Sequence, residues 1–188
     1  MTQRKLIIIR GKVTGGKTTT SHALARVLPG WIFVDIWKIK EMFEPLGLKD
    51  RTPIFKASKK AVLAIVKQVM RDIGSNIIVQ ESSLSFINKH LRKDIKKYNY
   101  KLYSFFLDVE LEDAIKRDIQ REKPTININK QNLSSAEWKK TAKGVPEKGD
   151  IIINTSKNNL KKVVNLILKE IHEKARKNPN AHLIRKCW

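Results

Sequence analysis

Short apolar runs alternate with longer amphipathic segments along most of the chain. Each run is rich in aliphatic or aromatic residues and stops at a polar residue or a turn, which is typical of buried parallel strands. We predict five strands from these runs: Lys5–Ile9, Trp31–Val34, Asn76–Val79, Leu102–Leu107 and Ile151–Asn154.

The segments between these runs have apolar residues at helical spacing. In the clearest one, Val62, Ile65, Val66, Val69, Met70 and Ile73 share one predicted face, and Gly74 is expected to end the helix. Further helices are predicted over Thr18–Leu28, around Ile36, Ile39 and Phe43, around Leu84, Ile87, Leu91 and Ile95, from Val109 to about Glu122, over Ser134–Lys143, and from Leu160 to Ile171. Strands that alternate with helices form βαβ units, so we expect an α/β fold with a parallel sheet.

Length and composition predict one domain and no membrane segment. The chain has 188 residues, which is enough to bury a core without disulfides. No apolar run approaches the ~20 residues that cross a bilayer, and Leu6–Ile9 is too short for a signal peptide. The single cysteine, Cys187, excludes an internal disulfide, so we expect a cytoplasmic protein.

The chain is strongly basic, with 39 Lys and Arg against 18 Asp and Glu and a formal net charge of +21. Such a field attracts polyanions, and both nucleotides and nucleic acids qualify as partners. The lysines are spread along the whole chain, however, as a general compositional bias would produce. Charge alone therefore leaves a nucleic-acid partner open.

One segment carries a specific motif. Gly11–Thr18 matches the pattern G-x-x-x-x-G-K-[ST] at every fixed position, directly after a predicted strand and before a predicted helix. Glycines let the backbone bend so that N–H groups and the positive end of the helix face an anion. We expect Lys17 to reach the β- and γ-phosphates of ATP or GTP, and the Thr18 hydroxyl to coordinate Mg²⁺. The predicted nucleotide-binding residues here are Gly11, Lys12, Val13, Thr14, Gly15, Gly16, Lys17, Thr18 and Thr19.

With this motif and this alternation of elements, the chain resembles the small P-loop kinases. That group includes shikimate kinase, adenylate kinase, polynucleotide kinase and the chloramphenicol phosphotransferase and zeta-toxin types. The resemblance spans about Lys5 to Ile171 and implies a three-layer α/β/α P-loop NTPase fold with a five-stranded parallel sheet. We therefore expect a kinase domain over residues 1–174, and the basic, aperiodic residues 175–188 are expected to form a tail or a docking arm. Thr14 stands where many members have a third glycine, although the antibiotic-phosphorylating branch also has a small hydroxyl residue there, so the subfamily stays open.

The resemblance implies an acceptor side over residues 36–60. Asp35, at the end of the second predicted strand, would be the general base that takes a proton from the acceptor hydroxyl. Its alternative role is to cap the helix that begins at Ile36. Lys38 would hold the acceptor or the transferred phosphate, or would be an exposed surface lysine. Trp37 is expected to pack in the interior or to line the acceptor pocket.

The resemblance also implies a lid over residues 117–135. Arg117 and Arg121 are four residues apart on a predicted helix and share one face. In small kinases such arginines close over the triphosphate and stabilise the transferring group; alternatively, Arg117 pairs with a neighbouring aspartate on the surface. Thr155 lies in the turn after the fifth predicted strand, which in related enzymes is beside the nucleotide base.

Two further inferences concern metal and histidine. Glu81 follows the third predicted strand, where other P-loop enzymes have an acid that binds Mg²⁺ through water, although strand-end carboxylates also cap turns. The four histidines show no metal-ligand spacing and no nucleophile partner, so none is assigned to a site. They are His22, His90, His172 and His182.

The expected function is that of an ATP-dependent phosphotransferase. The γ-phosphoryl group would move to a hydroxyl of a small molecule or nucleoside, with Lys17, Asp35, Arg117 and Arg121 as the catalytic residues. Two alternatives stay open. One is a polynucleotide 5′-hydroxyl kinase, suggested by the basic charge, and the other is a nucleotide-dependent ATPase or switch module without an acceptor.

Overall fold

The computed structural model describes residues 3–43, 46, 50, 52–80, 84–120 and 144–176. Within these ranges the strands are β1 (Arg4–Gly11), β2 (Ile32–Val34), β3 (Ile77–Gln80), β4 (Tyr100–Asp108) and β5 (Asp150–Asn154). The α-helices are α1 (Lys17–Val27), α2 (Ile36–Glu41), α3 (Thr52–Gln68), α4 (Leu84–Lys97), α5 (Leu111–Ile119) and α6 (Leu160–Arg176). A π-helical turn, Val69–Ile73, continues α3.

The five strands form one parallel sheet in the order β2-β3-β1-β4-β5. The central strand β1 pairs with β3 on one side and with β4 on the other, and Ile8 lies opposite both Val79 and Ser104. Parallel neighbours require helical crossovers, and the chain supplies a helix between successive strands. The predicted five-stranded parallel sheet is confirmed.

Helices cover both faces of the sheet, which makes the predicted three layers. One apolar core joins the sheet to α2, α3 and α4, and the other joins it to α1 and α6. Alternate residues of β1 pack into the two cores, because successive side chains of a strand point to opposite faces of the sheet. Leu6 and Ile8 lie in the first core, whereas Ile7 and Ile9 lie in the second. The carboxyl ends of all five strands meet at one edge, where ligands bind in open α/β sheets.

The predicted apolar face of the long helix needs a correction. The helical spacing predicts Ile65 and Ile73 on the buried face, but they are 40% and 63% exposed. Leu63 is buried in their place. The Val69–Ile73 turn has more residues per turn than an α-helix, so it rotates Ile73 away from the face that regular spacing predicts. Gly74 ends the turn as predicted, with a left-handed backbone.

Several predicted segments fall wholly or partly outside the described residues. The predicted helix over Ser134–Lys143 does, as does the lid beyond residue 120. Helix α6 continues to Arg176, two residues into the predicted tail, and residues 177–188 are not described. Among the described helices, none combines the length and apolar character needed to cross a membrane.

Candidate active site

The Gly11–Thr18 segment forms a tight loop between β1 and α1. The amide of Gly15 donates to the carbonyl of Lys12 at 3.2 Å, which closes the turn. Gly16 has a left-handed backbone at the start of α1, and its carbonyl accepts the first helical hydrogen bond from the amide of Thr20 at 2.8 Å. The loop therefore presents amides at the positive end of a helix, which is the arrangement that receives phosphate.

Close packing against β4 makes glycine necessary at position 11. Gly11 has φ +142°, and a Cβ there would collide with the backbone carbonyl of Leu107. The amide of Lys12 donates to that same carbonyl at 3.2 Å. At Gly16, by contrast, a Cβ would approach only the Thr20 hydroxyl, at 3.9 Å. The loop is thus held firmly on its β4 side and open on the other.

Thr14 occupies a conformation that suits glycine. Its φ is +58°, in the left-handed region that β-branched residues rarely adopt. Its hydroxyl donates to the carbonyl of Val13 at 2.7 Å, and the residue is buried. This backbone angle is a physical reason for the glycine that the resemblance leads us to expect at position 14, and the threonine here carries local strain of about 1–2 kcal/mol.

The two lysines of the loop have different partners. The ammonium of Lys17 donates to the carbonyls of Gly11 and Lys12 at 2.9 and 2.7 Å, so it lies across the loop. The ammonium of Lys12 is buried and pairs with Asp108, at the end of β4, at 2.6 Å. Lys17 is thus the loop lysine beside the phosphate-binding amides, whereas the side chain of Lys12 fastens the loop to the sheet.

Thr18 lies against the end of β3. The side-chain amide of Gln80 donates to the Thr18 hydroxyl at 3.2 Å. The other amide atom of Gln80, its Oε1, is buried and has no hydrogen-bond partner among the described residues. The Thr18 hydroxyl and this amide oxygen are both hard neutral oxygens, the ligand type that Mg²⁺ prefers. Thr18 and Gln80 therefore fit the predicted ion. Gln80 was missed from the sequence, although its strand-end position beside Glu81 was a signal.

No group of three or more His, Cys, Asp or Glu side chains suited to a metal occurs within the described ranges. Glu81 itself lies outside them. Its predicted role in holding Mg²⁺ through water stays a prediction.

Asp35 has two partners at the carboxyl end of β2. Its Oδ1 accepts a hydrogen bond from the amide of Trp37 at 2.8 Å, so it caps α2. Its Oδ2 lies 3.3 Å from Nε2 of His22 on α1. The capping role is therefore present, and the second oxygen faces an imidazole. His22, assigned to no site from the sequence, contacts the predicted base; no spacing along the chain indicated this pair.

His22 is held by a ring contact as well. Its imidazole packs edge-on against Phe33 of β2, with ring centroids 5.0 Å apart and planes at 81°. Its side chain remains 47% exposed, whereas that of Asp35 is only 9% exposed. The imidazole thus stands between solvent and a nearly buried carboxylate.

Lys38 extends into solvent from α2. Its side chain is 71% exposed and donates to Glu41 at 3.0 Å. The hydrogen bond and the charge of Glu41 raise the pKa of Lys38 above its ordinary value. Its position matches the surface alternative of the prediction, on the same short helix that Asp35 caps.

A cavity of about 690 Å³ lies between the loop and the turn after β5. Its lining includes predicted residues of the loop and of that turn. The lining residues are Thr14, Gly15, Gly16, Thr19, Thr20, Arg117, Gln120, Thr155, Ser156, Lys157, Asn158, Asn159, Leu160 and Val163. A volume of this size suits a nucleotide-sized ligand.

Arg117 joins the two walls of this cavity. Its guanidinium donates to the carbonyl of Thr14 at 3.3 Å and to the hydroxyl and carbonyl of Thr155 at 3.1 and 2.7 Å. Thr155 is fixed in turn, since its amide and hydroxyl both donate to the carbonyl of Asp108 at 2.7 and 2.9 Å. In these contacts Arg117 binds Thr14 and Thr155 and not a neighbouring aspartate, which was the alternative prediction. Arg121 lies outside the described residues.

A buried ion-pair network lies next to the loop and was not predicted. Arg10 of β1 pairs with Asp150 and, at 2.7 Å, with Glu147. Asp150 also accepts hydrogen bonds from the Ser104 hydroxyl and the Glu147 amide, each at 2.6 Å. Arg10 donates to the carbonyl of Val145 at 3.0 Å. The network therefore holds the residues that precede β5 against β1 and β4.

Glu147 extends this network to α4. Its carboxylate accepts the amides of Leu84 and Ser85 at 3.0 and 2.6 Å, at the start of that helix. Burial raises the pKa of Glu147, but the amides of Ser85 and Leu84 and the charge of Arg10 outweigh that effect. The pKa of Glu147 therefore lies below its usual range.

The fold and the phosphate-binding loop define the architecture of the small P-loop kinases, and the resemblance predicted from the sequence is confirmed. No protein-family model matches the chain. A putative kinase from Chloroflexus aurantiacus superimposes with a TM-score of 0.68 at 18% identity, over 92% of this chain and 98% of that one. The APS kinase of Mycobacterium tuberculosis in complex with AMPPNP and APS gives a TM-score of 0.62 at 13% identity, over 91% and 99% of the two chains.

A more similar sequence is also a kinase. The chain is 27% identical over 171 residues to cytidine diphosphoramidate kinase of Campylobacter jejuni. The aligned region covers 88% of this chain and 95% of that protein.

Proposed function

We propose that the chain is an ATP-dependent kinase that moves the γ-phosphoryl group of ATP to a hydroxyl group of a small molecule or nucleoside. The observation that carries this proposal is the pairing of two features at one sheet edge. A phosphate-receiving loop ends β1, and a nearly buried carboxylate, Asp35, ends β2. An ATPase needs the first feature, whereas a kinase also needs a base for its acceptor.

In this proposal the donor lies between the loop and the Thr155 turn. The amides of the loop and the start of α1 receive the phosphates, and Lys17 moves from the carbonyls of its own loop to the β- and γ-phosphates. Arg117 connects the two walls of the cavity through the carbonyls of Thr14 and Thr155. Thr18 and Gln80 would hold Mg²⁺, which offsets charge on the phosphate oxygens during transfer.

The acceptor hydroxyl approaches Asp35 from the α2 side. Its oxygen forms a bond to the γ-phosphorus while the bond from that phosphorus to the β-phosphate oxygen breaks, and ADP leaves. The hydroxyl proton passes to the Asp35 carboxylate. The contact with His22 and the capping bond to Trp37 keep that carboxylate in one orientation.

The relative from Campylobacter jejuni supports a nucleotide-linked acceptor. Its name states a cytidine-containing substrate, and the APS kinase that shares the fold contains APS. Cytidine nucleotides are therefore the first acceptors to test on this chain, with APS next.

The test is transfer of label. The full chain is incubated with γ-labelled ATP and Mg²⁺ together with CMP, CDP, cytidine, APS, simple sugars and a 5′-hydroxyl oligonucleotide. We expect label on at least one hydroxyl acceptor. Label that reaches only inorganic phosphate with every acceptor would support the ATPase or switch alternative instead.

Substitution of Asp35 separates its two roles. Asn caps a helix as well as Asp does, so Asp35→Asn keeps the start of α2 while removing the base. We expect ATP binding to be unchanged and turnover to fall by roughly 10²–10⁴-fold. Asp72→Asn, the same change at an exposed position, is the matched control and should leave turnover unchanged. Full turnover in Asp35→Asn would remove this residue from the mechanism.

A second candidate function, a polynucleotide 5′-hydroxyl kinase, is favoured by the net charge of +21. Neutralisation of backbone phosphates would make oligonucleotide binding fall steeply as salt rises. Oligonucleotide affinity that is flat between about 50 and 200 mM salt would count against this candidate, as would the absence of label on the oligonucleotide.

A further inference from the structure

Helix α2, which Asp35 caps, and helices α3 and α4 contribute a continuous row of aromatic rings and lysine ammonium groups. The ammonium of Lys40 lies 4.2 Å from the ring of Trp37 and 4.7 Å from that of Phe55. The ammonium of Lys59 lies 5.7 Å from Phe55 and 4.8 Å from Phe86. We call these five residues the ring–lysine row; they come from α2, α3 and α4.

Burial is unusual along this row. Lys40 is only 8% exposed, although lysine is among the residues most rarely buried. Trp37 and Phe55, the two rings on either side of its ammonium, are 40% and 39% exposed. The usual arrangement of charge outside and ring inside is therefore reversed. The rings of Trp37 and Phe55 face solvent while Lys40 lies behind them, so they contribute less to the core than buried rings would. Their outer surfaces are therefore available to a ligand.

The chemistry of the row selects a ligand that is both planar and anionic. Exposed aromatic faces stack with planar π systems, and nearby ammonium groups attract negative charge. An apolar partner would gain nothing from Lys40 and Lys59, and a simple phosphate would gain nothing from the rings. A nucleotide has both a base and a phosphate, so it matches the two halves of the row.

The position of the row relates it to the proposed base. Asp35 accepts a hydrogen bond from the backbone amide of Trp37, so the first ring of the row and the carboxylate are adjacent on α2. In a nucleotide the ribose hydroxyls lie between the base and the phosphate groups of the molecule. A nucleotide that stacks on Trp37 would therefore be bound next to Asp35.

We propose that the ring–lysine row is the acceptor subsite and that the acceptor is a nucleotide phosphorylated on its ribose. The proposal rests on the kinase function proposed above and adds the substrate class and the residues that recognise it. In this arrangement Trp37 and Phe55 stack with the base, Lys40 lies behind their rings, and Lys59 attracts the phosphate.

Direct binding tests the proposal without any phosphoryl transfer. The donor site of the full chain is first saturated with AMPPNP and Mg²⁺, and a second ligand is then titrated by calorimetry. CMP carries both base and phosphate, cytidine lacks the phosphate, and ribose 5-phosphate lacks the base. We expect CMP to bind at least tenfold more tightly than either fragment. Equal affinity for CMP and ribose 5-phosphate would overturn the role of the rings.

Variants of the row supply the second measurement. Trp37→Leu should weaken CMP binding about tenfold, while Trp37→Phe, which retains a ring, should recover most of it. Lys59→Met should weaken CMP but not cytidine, and Lys59→Arg should restore CMP binding. Lys96→Met removes the same charge at the far, exposed end of α4 and is the control. Binding of AMPPNP should be unchanged in all five variants, and thermal melts check that each is folded.

The two proposals fail in distinguishable ways. If CMP binds through the row but label never reaches any hydroxyl, the kinase function is wrong. If label reaches an acceptor that is not a nucleotide, or if Trp37→Leu leaves CMP binding intact, the kinase function stands and the subsite assignment is wrong.

Discussion

Replacement of Arg10 by Met tests the buried ion-pair network most directly. Methionine retains much of the aliphatic length and the contact with Phe106, whose ring lies 5.2 Å from the guanidinium. It leaves the carboxylate of Asp150, whose side chain is 0% exposed, without its cation. The main consequence of the change is therefore an uncompensated charge in the interior.

The size of the effect follows from what Asp150 retains. Removing one partner of a buried ion pair destabilises a protein by about 3–5 kcal/mol. Asp150 still accepts hydrogen bonds from Ser104 and from the amide of Glu147, so we expect the lower end, about 3 kcal/mol. With a urea dependence of about 2 kcal/mol per molar, the unfolding midpoint should fall by about 1.5 M.

Urea unfolding followed by circular dichroism measures this shift. The double variant Arg10→Met with Asp150→Asn removes the stranded charge, and we expect it to recover at least half of the lost stability. Lys38→Met breaks the exposed pair with Glu41 and should leave the midpoint unchanged. A loss below about 1 kcal/mol in Arg10→Met, or a double variant no more stable than the single one, would refute the reasoning.

Three further predictions concern the loop, the base and pH. Thr14→Gly should raise the free energy of unfolding by about 1 kcal/mol, because glycine adopts the positive φ at this position without strain. Thermal melts measure the change, and a lower melting temperature for the variant would contradict the prediction. His22→Leu should lower kcat about tenfold with ATP affinity unchanged, because the Asp35 carboxylate loses the contact that orients it. His22→Gln keeps a hydrogen-bond donor and should lower kcat less. Full turnover in His22→Leu would contradict this prediction. Glu147 has a lowered pKa when folded, so its contribution to stability is complete above its ordinary value of 4.5 and is lost as pH falls through the lower folded value. The stability advantage of the native chain over Glu147→Gln should therefore shrink below about pH 4.5 in acid unfolding; a constant difference would show that the charge contributes nothing.

The features that were predictable from sequence are those encoded over short stretches of chain. Periodicity marks which face of a strand or helix is buried, so all five strands and the ends of α1 are found within a few residues of their predicted positions. The G-x-x-x-x-G-K-[ST] spacing similarly encodes one loop, and Gly11 and Gly16 have the backbone angles that the loop requires. In each case neighbouring residues specify the structure together.

The features that were missed depend on contacts between distant segments. Arg10 meets Asp150, and His22 meets Asp35, only because the strand order brings their elements together. The local sequence around Arg10 or His22 does not distinguish it from an ordinary surface residue. The sequence also places Arg117 on a charged helix without revealing that Thr155, at the end of another strand, would hold it. Pairings of this kind follow from topology, which periodicity does not encode.

The proposed donor and acceptor sides share one buried anchor. Arg10 immediately precedes the phosphate-binding loop on β1, and its partner Glu147 holds the start of α4, which carries Phe86 of the ring–lysine row. Gly144, in the segment that leads to β5, packs against the carbonyl of Gly11, and a Cβ at position 144 would lie 3.1 Å from that oxygen. The segment that holds the start of α4 through Glu147 therefore also contacts the phosphate-binding loop. Phosphoryl transfer needs donor and acceptor held within a fraction of an ångström, and a rigid connection between their binding elements provides this better than two independently mobile loops. The ion pairs of Arg10 thus have a reason to be buried beyond stability, since they fix the loop and α4 in one frame.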